Sequence, residues 1–376
     1  ILKVRGFGLM ARDIVIDTAT VHHVFPLDFG WSHIRAASFE MKAGDMYTLS
    51  GERLLIADTS VKVHNVQVAS MYDREGFMRR LPHEKVQIGL EIGEIVANDL
   101  IWTLEDGLGI RSTRTSIKNA SLKVYKDKRP PPQPLRVKPL LASLIRNIPF
   151  DIYLDTLTLS KSYIEYEQFP VLFPRSGKVF FDDLYASIYN LTNDSSRLRE
   201  NPELIADIQC MFMGEGELQT QIKMNLMSDK DAFSVSGRLG ELPVTYVNQV
   251  MTPLVGVTAE GKVEYMAFDF NGDNYASKGT LTSEYSDLKI TIYDDGRDKE
   301  WFKSMFGNLI LRNNNHEDDK LSYKEGEIYF VRYQNKGFFN LLWNSIRTGI
   351  MDIVVPFYKN PDSTRSANDV KYKVED

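Results

Sequence analysis

The sequence predicts a mainly β protein of long alternating strands, and three observations carry that prediction. Between Glu203 and Tyr293 apolar and polar residues alternate with a period of two, over runs too long and too regular for helices. The runs are separated by turn chemistry, at Gly214-Glu215-Gly216 and at Ser228-Asp229-Lys230-Asp231. Hydrophobic residues at 43% and charged residues at 26% are the composition of a chain that folds. At 376 residues it can hold two or three domains, or one sheet that grows by adding strands.

Taken in order, residues 1–129 form a β-rich segment in which the alternation is less clean. Val86 to Trp102 and Thr115 to Tyr125 alternate, with breaks at Asn98-Asp99 and at Asn119. A polar or small bend residue followed by a short alternating strand recurs at Asn98-Asp99, Asn119 and Ser160-Lys161-Ser162, which reads as a weak hairpin repeat. Residues 130–147 begin with Pro130-Pro131-Pro132-Gln133-Pro134, which cannot join a ladder and prefers an extended path. This is the best internal boundary, or else a connection within one continuous sheet. Leu140, Leu141, Leu144 and Ile145 follow at helical spacing.

From 148 to 358 the pattern is strongest. Leu204, Ala206, Ile208, Cys210 and Phe212 share one face, and Leu218, Ile222, Met224 and Leu226 share the same face of the returning strand. Phe233, Val235 and Leu239 continue the meander, a short helix is expected between Pro243 and Val255, and Leu288, Ile290 and Ile292 mark a later strand. Asp295-Gly296 is expected to close it. The stretch Gly337 to Arg347 reads as an amphipathic helix whose stripe, Phe339, Leu342, Trp343 and Ile346, is expected to pack as a cap on something apolar. A membrane-surface helix is the alternative, weakened by a polar face that offers only Arg347. Residues 359–376 turn polar and read as a frayed tail.

The search for chemistry excludes most enzyme classes. A net charge of −6 without a dense basic cluster argues against nucleic acid. The six histidines, His22, His23, His33, His64, His83 and His316, lack metal-ligand spacing. No nucleophile elbow or phosphate loop is present. Asp269-Phe270-Asn271-Gly272-Asp273 resembles the start of a calcium loop, but Asn274 and Thr280 stand where Gly and Glu belong; a hairpin turn through Asn271-Gly272 explains it. Asp182-Asp183, Asp294-Asp295 and Asp318-Asp319 read as solvated turns. Cys210 reads as core. No catalytic residue, metal or cofactor is expected.

The segment from Ile148 to Tyr293 resembles the AsmA-like family, in the C-terminal regions found in Gram-negative envelopes and especially their Bacteroidetes-type members. The residues that carry it are Ile148-Pro149-Phe150-Asp151-Ile152-Tyr153-Leu154-Asp155, Leu157-Thr158-Leu159 and Tyr163-Ile164-Glu165-Tyr166. Val235-Ser236-Gly237-Arg238-Leu239-Gly240 and Gly261-Lys262-Val263-Glu264-Tyr265 complete it. The resemblance implies an elongated, curved antiparallel sheet with an apolar groove. It also implies a periplasmic location with an inner-membrane anchor, and a role in lipid transfer or outer-membrane homeostasis. The chain starts at Ile1, so the anchor or a signal segment is expected to lie before it.

On this reading Ile208, Phe212, Leu218, Ile222, Met224, Leu226, Phe233, Val235, Leu288, Ile290 and Ile292 line a lipid groove, with lipid or membrane and envelope proteins as partners. Half-buried sheets always alternate, so the same faces equally suit the packed core or partner interface of a structural subunit. A transmembrane barrel is disfavoured because aromatic girdles are missing.

Overall fold

The computed structural model describes residues 2–15, 28–57, 59–103, 109–292, 311–319 and 323–363. The predicted mainly β class is what forms: among the described residues seventeen strands join one mixed sheet that does not close on itself, with a few short helices. In chain order the first half comprises β1 (Leu2–Arg5), β2 (Gly8–Val15), β3 (Asp28–Ala43), β4 (Tyr47–Ala57), β5 (Ser60–Ser70), α1 (Arg74–Met78), β6 (Val86–Asn98), β7 (Ile101–Thr103) and β8 (Gly109–Asp127). After α2 (Leu141–Arg146) come β9 (Asp151–Phe169), β10 (Gly177–Thr192), α3 (Ser195–Glu200), β11 (Glu203–Phe212), β12 (Gly216–Asn225), β13 (Phe233–Leu239) and β14 (Leu242–Pro243). A 3-10 turn (Val244–Val247) leads into α4 (Asn248–Val255), then β15 (Val257–Gly272), β16 (Ala276–Ile292), β17 (Gly326–Val331) and α5 (Phe338–Val354).

Spatial order follows sequence order, because almost every strand reverses onto the one before it. Three pairs are colinear: β1 with β2 along β3, β6 with β7 along β8, and β13 with β14 along β15. One junction is different. β8 and β9 pair in parallel from Gly109↔Asp151 to Asp127↔Phe169, so the connection 128–150 must travel the full length of both strands. The Pro-rich segment is therefore a crossover within one continuous sheet, and no break in the ladder separates residues 1–129 from 148–358.

The crossover also reveals how far the sheet curls. Near its start Glu84 N–H donates to Pro131 O at 2.8 Å, and Gln133 Nε2 donates to Glu84 O at 2.9 Å. A few residues on, Lys138 N–H donates to Gln334 O at 2.9 Å. Gln133 and Lys138 are at most about 18 Å apart along an extended chain. Glu84 precedes β6 and Gln334 follows β17, positions that a flat sheet with strands ~4.8 Å apart would hold about 40 Å from one another. The sheet bends until residues 130–140 strap its two halves together. Arg332, buried at the far end, fastens the strap by donating to Lys138 O, Lys336 O and Asn274 O.

The breaks that read as hairpin turns at Asn119 and Lys161 lie in mid-strand. Arg53, Asn65, Asn119, Lys161 and Asp183 all have positive φ, and with Gly93 they form a line across β4, β5, β6, β8, β9 and β10. A left-handed residue consumes one step of the pleat, as in a bulge, so the alternation resumes on the opposite parity. In β5 Val63 is followed on the same side by Val66 and Val68, and in β8 Ile117 is followed by Ala120 and Leu122. Asp182-Asp183 belongs to this crease and not to a turn. Asp99 also has positive φ, where β6 gives way to β7. The hairpin between β15 and β16 turns one step later than Asn271-Gly272, at Asp273, whose Oδ1 accepts from Tyr275 N–H at 2.7 Å and Ala276 N–H at 3.1 Å. Asp294-Asp295 and Asp295-Gly296 lie outside the described residues, as do His22 and His23.

The main core lies on one face of the C-terminal half, where α2, the 3-10 turn and α5 cover the sheet. Helix α5 turns a small-residue side toward β16 and β17. A Cβ on Gly349 would sit 2.8 Å from Leu281 Cβ and 2.9 Å from Ile328 Cγ1, and Ser345 Oγ meets Ser277 Oγ at 2.6 Å. Close approach of the backbones thus decides which side faces in. Phe338, Leu341, Ser345, Thr348 and Gly349 are buried, and Leu342 and Ile346 are half-buried against the core. Phe339 and Trp343, expected in the buried stripe, are exposed at 71% and 54%. The outer edge of β17 is closed by the chain after α5: Asn360 Nδ2 donates to Tyr329 O at 2.6 Å, and Asp362 Oδ2 accepts from Val331 N–H at 3.0 Å.

Candidate functional site

Directly opposed residues of neighbouring strands share a face, so the registers trace apolar rows across the sheet. One row runs Ile56, Val61, Ala97, Thr115, Leu157, Ile188, Ala206, Ile222, Val235, Phe270. On the far side of the crease a second runs Met41, Leu49, Val68, Leu90, Leu122, Ile164, Phe181, Phe212. The crease keeps both rows on one surface, because each strand resets its parity as it crosses the line. The apolar face is therefore continuous from β4 to β15.

Its cover is not continuous. From Ala206 onward the first row is buried beneath the helices, with Val235 and Phe270 almost wholly so; before it Ala97 and Thr115 are buried, and Ile56, Val61, Leu157 and Ile188 are half-buried. In the second row no residue is buried: Met41 is exposed, and Leu49, Val68, Leu90, Leu122, Ile164, Phe181 and Phe212 are half-buried, Ile164 and Phe181 against the small cluster of Leu184, Ala186 and Cys210 and Phe212 against the main core. The sheet thus carries one apolar surface that is filled core at its C-terminal end and more open over β4 to β10, where Val63, Ile92 and Ala97 are buried and Leu184 and Ala186 form a small second core with Cys210. The strap crosses beside this open part.

The residues chosen from sequence divide accordingly. Ile222, Met224, Leu226, Phe233, Val235 and Leu288 belong to the filled core, and Phe233 packs edge-on against Phe338 with ring centroids 5.1 Å apart. Ile208, Phe212 and Leu218 are half-buried at the margin of that core, and Ile290 is half-buried on β16. Ile292 closes β16, and its side chain lies outside the described residues. The open stretch, with Leu90, Leu122 and Ile164, was not singled out from sequence. Its signal was there, but the parity reset at Asn119 and Lys161 hid it.

Charges gather where the strap leaves the sheet. Glu84 lies between Lys126 at 3.1 Å and Lys128 at 3.3 Å. Burial pushes the Glu84 carboxyl up, yet the two ammonium groups outweigh it and the net shift is downward. Burial also lowers Lys126, helped by Lys128, and raises the Tyr166 phenol to about 12 with the Glu84 charge beside it. At the other end of the strap burial lowers the Arg332 guanidinium. Arg146 of α2 holds the buried Asp231 at 2.5 Å, which ties α2 to the turn before β13. These contacts position the strap and helices and bring no nucleophile and base together.

The opposite face is polar. A trough of about 790 Å³ crosses β9 to β15 there, lined by Ser187, Asp207, Gln221, Arg238 and Tyr265 among others. Its side chains satisfy one another: Gln221 Nε2 donates to Asp207 Oδ1 at 2.8 Å, and Arg238 Nε donates to Gln219 Oε1 at 2.9 Å. It is a solvated sheet face.

Comparison with protein-family models and with curated proteins gives no match to this chain.

Proposed function

We propose that the chain carries lipid, with acyl chains lying against the open apolar rows of β4 to β10, as a non-catalytic cell-envelope protein of the AsmA-like kind. The observation that carries this reading is the change of cover along a single apolar face. Where α2, the 3-10 turn and α5 lie on the face its residues are mostly buried, and over β4 to β10 the same pattern continues mostly half-buried, with Val63, Ile92, Ala97, Leu184 and Ala186 buried within it. A surface that large is costly to leave against water, at roughly 25 cal/mol per Å². An acyl chain reaching half-way through a hydrocarbon core of ~30 Å is about 15 Å long, which spans three strand spacings of ~4.8 Å. Such a chain would lie along Leu90, Leu122 and Ile164, with the head group in solvent. Packed core at the C-terminal end gives the groove a fixed wall.

The test is to purify the full chain without detergent and identify extracted lipid by mass spectrometry. Transfer of a fluorescent phospholipid between vesicles is measured alongside. Phospholipid is expected with the native chain and is expected to fall sharply with Leu122→Asp and Ile164→Asp together. Protein that is lipid-free and inactive in transfer while fully folded refutes the reading. The envelope location belongs to the same proposal and is checked by cell fractionation.

A second reading, an assembly subunit, rests on a different observation. Strands β1 and β2 pair only with β3 among the described residues, and Leu2, Phe7, Leu9, Met10 and Ile14 are exposed there. An open apolar edge of that kind invites a further strand. Co-purification of an envelope partner that is lost on changing Leu9 and Met10 to Lys, with no lipid bound, selects it.

A further inference from the structure

We infer that the strap and the first turns of α5 form a docking surface for an anionic lipid bilayer. Phe339, Trp343 and Arg347 follow one another a turn apart on the side of α5 that faces away from the sheet. The strap places Leu135 and Val137, exposed at 60% and 61%, next to that end of the helix. The junction is fixed: Lys138 N–H donates to Gln334 O at 2.9 Å, and Arg332 Nη2 donates to Lys138 O and, at 3.0 Å, to Lys336 O. Large apolar side chains from two distant parts of the sequence are thereby held together in solvent. Exposed apolar side chains gathered at one fixed junction mark an interaction surface.

The charges beside the patch select its occupant. Arg136 and Lys138 lie on the strap, Lys336 on the turn before α5, and Arg347 on the helix. Lys138 is lowered first by burial and then by the neighbouring charge of Lys336, and Lys126 is affected by Lys128 and Lys336 in the same way. Of the acids near them, Glu84 is engaged by Lys126 and Lys128, Asp231 by Arg146 and Asp352 by Lys324. A chain of net charge −6 thus gathers cations at its exposed aromatic patch. Trp and Phe seat at the level of lipid head groups, and Lys and Arg near the surface add attraction to anionic lipids. On the helix itself only Arg347 is basic; Arg136, Lys138 and Lys336 are brought beside it by the strap and the turn before α5. Docking uses the outer side of α5 and stands whether or not lipid occupies the groove.

The experiment is flotation of the full chain with phosphatidylcholine vesicles, with and without phosphatidylglycerol. The native chain is expected to float with the mixed vesicles and far less with phosphatidylcholine alone. Phe339→Ser with Trp343→Ser is expected to lower partitioning about tenfold or more. Arg136→Glu with Lys138→Glu is expected to remove the preference for phosphatidylglycerol. Circular dichroism confirms that each variant is folded, and its co-purified lipid, measured separately, is expected to match the native chain. Absence of native flotation, or flotation of the aromatic variant equal to native, overturns the inference. A native dimer that becomes monomeric in the aromatic variant, with flotation unchanged, assigns the patch to a second copy instead.

Discussion

Leu122→Ala and Phe270→Ala remove large apolar side chains from the same face of the same sheet, and the fold predicts different costs. Phe270 has no exposure and sits inside the main core against Val235 and Gly279. Its truncation leaves a cavity enclosed within that core, and costs about 3–5 kcal/mol. Leu122 is half-buried on β8 and belongs to neither core cluster. Only part of the roughly 1.5–3 kcal/mol for full burial of a leucine is realised there, and no cavity is enclosed, so the loss is about 1 kcal/mol. Denaturant midpoints of delipidated protein are the measurement, with the slope checked for each variant. A bound lipid of the proposed kind would add stability in proportion to the logarithm of its concentration over its dissociation constant, and Leu122→Ala is expected to reduce that increment while Phe270→Ala leaves it. Equal costs for the two variants in delipidated protein would show that the β4 to β10 face is packed, and the open-face argument would fall.

Asn119→Ala places a side chain with no αL preference at φ 53 and is expected to lose about 1 kcal/mol, while Asn119→Gly is expected to be near neutral; chemical denaturation of both decides whether the crease is strained. Glu94 is held at about 2 by its hydrogen bonds with Lys62 and Lys118, so it stays ionised through the ordinary carboxylate range. A depressed carboxyl contributes above its unfolded value and loses that contribution as pH falls toward 2; a carboxyl NMR titration of native and Lys118→Ala chains is expected to show the midpoint rising in the variant. Burial pushes the Cys210 thiol up to about 11, so iodoacetamide at neutral pH is expected to leave it unmodified until the chain unfolds, as mass spectrometry would read.

How much of this was legible in the sequence depended on whether the pleat ran unbroken. From β11 to β13 every residue keeps its parity, and the face containing Leu204, Ala206, Ile222 and Val235 could be read directly. In β5, β8 and β9 one left-handed residue shifts the count, so two clean half-strands looked like one irregular one. Asn65 and Asn119 are residue types that tolerate that conformation, and Lys161 is not, which is why the line across the sheet stayed hidden. On α5 the aromatic stripe outweighed Ser345, Thr348 and Gly349 in any amphipathic reading, yet the small side is buried because the helix backbone approaches Gly326. The curl, and the basic rim it assembles, depend on a strap whose partners are far away in sequence. No local pattern contains them.

The parallel junction of β8 and β9 also bears on how the chain reaches its native state. Antiparallel neighbours can zip together one hairpin at a time, each closing a short loop, so each side of the junction can assemble from local contacts. The junction itself cannot form that way, since β9 must come back along the whole of β8 before the first pair is made. The bond from Arg332 to Lys138 spans 194 residues and belongs to the slowest class of contacts in the molecule. Two preassembled sheets joined late would give a refolding trace with two phases, and removing the Arg332 guanidinium would act on the slower one.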